Sequence, residues 1–195
     1  MTSFVIGPSH VHDSCIENHR HIFTNTTFDA NRGRPNWSKT VLELVSDNYN
    51  NYDQIIWMIS DYRFNNEDVD EIRTSRDILF LDKIGRPRNI NHSLINLQND
   101  QTLCEHSLKC IDYIKLKFPK IKLLFWCLYT RSKINTSSLP QEFQYDQIKK
   151  RYDKNILDID KFTTPEGFKS CIRDSCGHPN AKGYELLKNM INSGL

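Results

Sequence analysis

The chain has no apolar run approaching the ~20 residues that a membrane-spanning helix requires, so no transmembrane segment is predicted. Its first residues, "MTSFVIGPSH", lack the basic region and long apolar stretch of a signal peptide, which predicts a mature protein that starts here and a cytoplasmic location. No sign of charge dominates. The 26 Lys and Arg stand against 24 Asp and Glu, interspersed along the chain, for a formal net charge of +2. That balance argues against a dedicated nucleic-acid surface, which usually shows a basic face or stripe. Cysteine is present without metal-site spacing. Cys15, Cys104, Cys110, Cys127, Cys171 and Cys176 contain no C-x-x-C pair, so a structural zinc site has little support. Without an export signal, reduced thiols are the default. Cys127, within an apolar run, reads as a small core residue, and Cys171 and Cys176 flank Asp174 closely enough to meet in space. There is neither an internal repeat nor a low-complexity tract.

What is present is a length of 195 residues, suited to one domain (1–195) with a real core. Short apolar runs alternate with amphipathic stretches. "SFVIG" (3–7), "DQIIWMIS" (53–60) and "IKLLFWCLY" (121–129) read as buried strands, with weaker candidates at "NILDI" (155–159) and, near an edge, "HIFTNTTF" (21–28). Helical spacing appears at 36–47, 101–118, 141–155 and 179–191. In the second of these, Leu103, Leu108, Ile111, Ile114 and Leu116 form a broad apolar stripe. The segment 65–99 is charged and reads as an excursion from the core. This alternation predicts an α/β three-layer sandwich, a central parallel sheet of about five strands with helices on both faces.

In open α/β sheets, reactive groups gather at the carboxyl ends of the strands. Ser9 stands where the chain leaves the first strand. A serine hydroxyl is a weak nucleophile and needs a base within hydrogen-bond reach. At the far end, "RDSCGHPNAKGYELL" (173–187) opens the last helix. Capping by Asp174 or Ser175 and an early helical Pro179 account for part of it, but not for His178. His178 follows the last strand candidate and is a candidate base for Ser9. Asp174 is a candidate to orient the imidazole and stabilise its protonated form. The histidines His10, His12, His19 and His21 form two His-x-His pairs, but no acid or cysteine lies at a recognisable ligand spacing from both. They read as solvated or hydrogen-bonded, with no metal. Trp57 and Trp126 read as core, and Trp37 as a candidate pocket wall.

The blocks "IGPSHVHD" and "DSCGHPNAKGYELL" resemble those of the SGNH (GDSL-like) hydrolases, a serine after the first strand and a D-x-x-H block opening the final helix. The second block also matches the family's frequent H-P-N-x-x-G-y run. Pro8 stands where the family usually has an acid before the serine. Asp174 lies one residue further from the histidine than usual, Ser175 taking the family position. Both a triad with a longer turn and a Ser–His dyad stay open. The resemblance implies a flavodoxin-like sheet of SGNH type. It also implies oxyanion or substrate-binding donors from Gly33 or Asn36 in "NRGRPNWSKT", and from Tyr62, Arg63 or Asn65 in "SDYRFNN". The implied activity is a serine esterase or deacetylase acting on O-acyl groups, O-acetyl in particular, of a carbohydrate, without a cofactor. The alternative is an O-acetyltransferase of surface-polysaccharide biosynthesis with acetyl-CoA as donor. A non-catalytic carbohydrate-binding protein on the same scaffold is the third reading. The expected partner is a small-molecule or carbohydrate ester, with neither nucleic acid nor membrane insertion; the oligomeric state is left open.

Overall fold

The computed structural model describes residues 1–11, 13–30, 39–59, 97–135, 139–173 and 177–194. Four strands form one parallel sheet: β1 (Ser3–Gly7), β2 (Thr26–Ala30), β3 (Gln54–Met58) and β4 (Lys122–Leu124), in the order β2-β1-β3-β4. Val5 pairs with Phe28 on one side and with Ile56 on the other, and Trp57 pairs with Leu123. Every residue of β1 and β3 is buried. Successive side chains point to opposite faces, so both faces of these central strands are covered.

The segment expected to be a fifth strand makes a single parallel bridge, Leu123 to Ile156. Leu123 N donates to Asn155 O at 2.7 Å and Leu157 N to Leu123 O at 2.8 Å. Pairing stops there because Asp158 caps the 3-10 turn Ile159–Lys161, its carboxylate accepting from Asp160 N. The run 121–129 is also shorter as a strand than its composition predicts. β4 ends at Leu124, and Trp126–Tyr129 is helical, continuing as a π-type turn over Thr130–Ile134. All four residues of that helical turn are buried, and an apolar run buried all round carries no periodicity to separate strand from helix.

The helices are α1 (Asp13–Ile16), α2 (Lys39–Asn48), α3 (Leu97–Lys117), α4 (Trp126–Tyr129), α5 (Tyr145–Arg151), α6 (Pro165–Lys169) and α7 (Ala181–Ser193). α2 buries Val41 and Val45, one turn apart. α3 buries Cys104, Ser107, Leu108, Cys110, Ile111 and Ile114, whereas Leu116 is 84% exposed. Two residues beyond Ile114, Leu116 faces away from the apolar stripe into which the sequence pattern put it. Among the described residues no helix is long and apolar enough to cross a membrane.

α7 runs against the strand direction. Near its start, Tyr184 donates to His10 O just beyond the end of β1. Near its end, Ile191 O accepts from Gln54 Nε2 at 2.7 Å, and the same amide reaches Ser3 Oγ at 2.7 Å, at the beginnings of β3 and β1. Its buried Tyr184, Leu187, Met190 and Ile191 lie at helical spacing.

Candidate functional site

The sheet order reverses between β1 and β3, and the carboxyl ends of such a strand pair frame the usual ligand crevice of an open parallel sheet. β1 ends on Gly7. A Cβ there would come within 2.7 Å of Val11 Cγ2 and 3.2 Å of Met58 Cβ, so the chain can fold back this tightly only with glycine. Val11 N donates to Pro8 O at 3.1 Å, closing the 3-10 turn Ser9–Val11 over the strand end. The backbone of Ser9 is therefore at the edge of the sheet where the sequence pattern expects it. His10 and Val11 of the same turn are buried.

His178 arrives from the other end of the chain on a short antiparallel bridge between Ile172 and Pro179. Arg173 N donates to His178 O and Asn180 N to Cys171 O, both at 2.9 Å. The run H-P-N-x-x-G has a local physical explanation. Asn180 caps α7, its side chain accepting from Gly183 N at 3.1 Å, while its Nδ2 donates to Ser170 O (2.8 Å) and Ile172 O (3.3 Å). Gly183 lets the carbonyl of Cys171 approach the helix, because a Cβ there would overlap that oxygen. Gly177, with φ +83°, turns the chain just before the histidine. Its carbonyl accepts from Trp126 Nε1 at 2.6 Å, and a Cβ on it would overlap the Thr130 hydroxyl.

The two ends of the chain meet through rings. The imidazoles of His10 and His178 stack with centroids 4.3 Å apart and planes inclined by 4°. His10 is 5% exposed and His178 is half-buried, so the pair has a covered member and a partly exposed one. Tyr184 fastens the same junction from α7, its hydroxyl shared between His10 O (3.1 Å) and Cys15 O (2.8 Å). Burial first, and then the Cys15 thiol beside it, push the Tyr184 hydroxyl well above the usual phenol range, so it stays a donor. Cys127 Sγ lies 3.4 Å from His10 Nε2 and 3.7 Å from Nδ1. No point in the ring plane is that near both nitrogens without overlapping the carbon between them. The sulfur therefore packs over a face of the imidazole, in the manner of a sulfur–aromatic contact.

Of the sequence-predicted site residues, the structure describes His178 and the main chain of Ser9. Asp174, Gly33, Asn36, Tyr62, Arg63 and Asn65 lie outside the described residues, as do His12 and Trp37. The three described histidines of the four-histidine stretch lie in different surroundings. His10 enters the site, His19 stacks on Tyr184 at 4.6 Å, and His21 is exposed. Among the described residues no group of three or more His, Cys, Asp or Glu is arranged to hold a metal ion. Cys15, Cys104, Cys110, Cys127 and Cys171 are free thiols. Trp57 and Trp126 are buried.

Pattern reasoning missed the roles of His10, Cys127 and Tyr184. For His10 a signal existed, since it is the residue next to Ser9. Cys127 was masked by the apolar run around it, and Tyr184 by its helical core spacing.

A second polar cluster, beyond β4, is structural. Lys149 bridges Asp158 (3.0 Å) and Asp160 (2.9 Å), Tyr129 donates to Asp160 at 2.9 Å, and Tyr145 donates to Asp158 at 3.3 Å. Burial disfavours the Asp160 carboxylate, but hydrogen bonds from Lys149 and Tyr129 outweigh it and hold its pKa below the usual value. No protein-family model, no curated protein and no solved structure matches the chain. The site is thus characterised by its geometry: a half-buried imidazole resting on a buried one, at the carboxyl edge of a parallel sheet and beside a serine-bearing turn.

Proposed function

We propose that the chain is a serine ester hydrolase of SGNH type, acting on O-acyl groups, O-acetyl in particular, of a carbohydrate. The observation that carries this reading is the His10–His178 stack. It joins the two blocks that resemble the family, at the sheet edge where Ser9 leaves β1. Ser9 is the nucleophile and His178 the base. As Ser9 Oγ bonds to the ester carbonyl carbon, its proton passes to the imidazole. The imidazolium returns that proton to the leaving alcohol oxygen as the ester C–O bond breaks. Water then attacks the acyl-enzyme by the same route, releasing the carboxylic acid and restoring the Ser9 hydroxyl. Asp174 is assigned the orienting role, and Gly33, Asn36, Tyr62, Arg63 and Asn65 remain the candidate donors to the oxyanion or substrate. A sugar hydroxyl replacing water in the second half, with acetyl-CoA as donor, would make the same chemistry an O-acetyl transfer.

The test is turnover of p-nitrophenyl acetate and of an O-acetylated oligosaccharide by the wild type, Ser9→Ala and His178→Gln. Each variant is expected to lose roughly 10³-fold or more in kcat while staying folded. Full activity in Ser9→Ala sinks the assignment. Slow hydrolysis by the wild type, together with acetyl-CoA-dependent sugar acetylation, moves it to the transferase. A wild type inert in both assays and unlabelled by a fluorophosphonate leaves the non-catalytic binding protein.

A further inference from the structure

The imidazole of His178 is held by more than its own loop. Its face lies flat on His10, 4.3 Å away between centroids and within 4° of parallel. Two rings in that relation restrict each other's tilt, because tipping either one drives an edge into the other's face. His10 is itself packed on several sides. It is 5% exposed, Cys127 Sγ packs over its ring, and its main-chain carbonyl takes a hydrogen bond from Tyr184. Tyr184 belongs to the helix that begins just after His178, so the stacked pair closes a small loop of contacts between the two chain ends. His10 is also the covalent neighbour of Ser9 within one 3-10 turn.

We propose that His10 is a positioning residue for His178, an aromatic platform that fixes the plane of the base relative to the turn carrying the nucleophile. The inference rests on the hydrolase reading and deepens it. Proton transfer runs along a ring-nitrogen lone pair, in the plane of the imidazole, so the plane's orientation decides whether that lone pair meets the serine proton. A misplacement of ~1 Å at such a centre can cost ~10²-fold in rate. Because platform and nucleophile are adjacent residues, one short backbone turn sets both.

The experiment compares wild type, His10→Phe and His10→Gln. Phenylalanine keeps a flat ring to stack on; glutamine keeps polar reach and loses the ring. Expected are a kcat for His10→Phe close to wild type, a fall of roughly 10²-fold for His10→Gln, and KM little changed in both. Glutamine at wild-type kcat, or phenylalanine as slow as glutamine, overturns the proposal. A measurement on the unmodified protein guards against variants that fail to fold. The ring protons of His178, assigned by their loss in His178→Gln, should be displaced upfield by the ring current of His10; resonances at ordinary histidine positions overturn the stack itself. Ser9→Ala is read in parallel. Unchanged turnover there removes the hydrolase reading, whereas Ser9-dependent turnover that is indifferent to His10 removes only this one.

Discussion

Asn180→Ala is the substitution whose cost can be worked most fully from the contacts. Asn180 Oδ1 accepts from Gly183 N at 3.1 Å and caps α7, and replacing such a cap by alanine costs about 1 kcal/mol. Its Nδ2 donates to Ser170 O at 2.8 Å and to Ile172 O at 3.3 Å, tying the helix start to the segment paired with the His178 loop. A net hydrogen bond contributes about 1 kcal/mol, and the longer of the two less, so the whole loss is about 2–3 kcal/mol. In a chain of this length that corresponds to a fall of roughly 4–12 °C in Tm. In guanidinium titration the midpoint should move with the slope unchanged. Asn180→Asp separates the parts. It keeps the acceptor at a helix N-terminus, where negative charge is favourable, but loses both donors and turns a carboxylate toward two carbonyls. Its expected cost is about 1–2 kcal/mol. A loss below about 0.5 kcal/mol for Asn180→Ala, within the range of an ordinary surface change, would refute the view that this side chain clamps the loop.

Gly183→Ala gains helix propensity worth about 1 kcal/mol but forces a Cβ into the main-chain oxygen of Cys171, and overpacking of about 1–3 kcal/mol or more should win. Calorimetry should show a lower Tm; a rise would mean the approach to Cys171 is not tight. Tyr184→Phe removes the donor shared by His10 O and Cys15 O and should cost about 1–2 kcal/mol. Under the hydrolase reading it should also lower kcat, and unchanged stability and turnover together would dismiss the junction. Stability should depend on alkaline pH in two opposed ways. Burial first, and then Lys122 nearby, lower the Lys115 ammonium to about 8, so its contribution is fully present above 10.5 and is lost as pH falls through about 8. Tyr129, Tyr145, Tyr152 and Tyr184 are all raised by burial first, so their contributions are full below the ordinary phenol pKa near 10 and are lost above it. Urea midpoints should therefore rise from pH 8 toward 10 and then fall, and a monotonic decline across the whole range contradicts the Lys115 assignment.

The α/β class was legible because buried parallel strands must be apolar on both faces, and "SFVIG" and "QIIWM" are. α7 was legible because Tyr184, Leu187, Met190 and Ile191 recur at helical spacing. Such patterns are local properties, and sequence determines them by itself. The start of α7 was not legible: capping was expected from Asp174 or Ser175 with Pro179 inside the first turn, whereas Asn180 is the cap, the helix begins at Ala181 and Pro179 pairs with Ile172 before it. Where β4 stops was not legible, since Leu124 and Trp126 are both fully buried and periodicity vanishes when every side is covered. Leu116 misled for the opposite reason, an apolar residue that packing leaves outside.

Ser9 and His178 were recognisable as residue types in suggestive places. What the sequence could not supply is what lies against them, because a contact between positions at opposite ends of the chain depends on how the sheet orders its strands and where α7 returns. Folding stacked His10, one histidine of an N-terminal cluster, against His178, set the Cys127 sulfur beside the His10 ring, and brought the Tyr184 hydroxyl from a helix face to the His10 carbonyl. Local propensity acts over a few residues; the stack is made by tertiary packing alone.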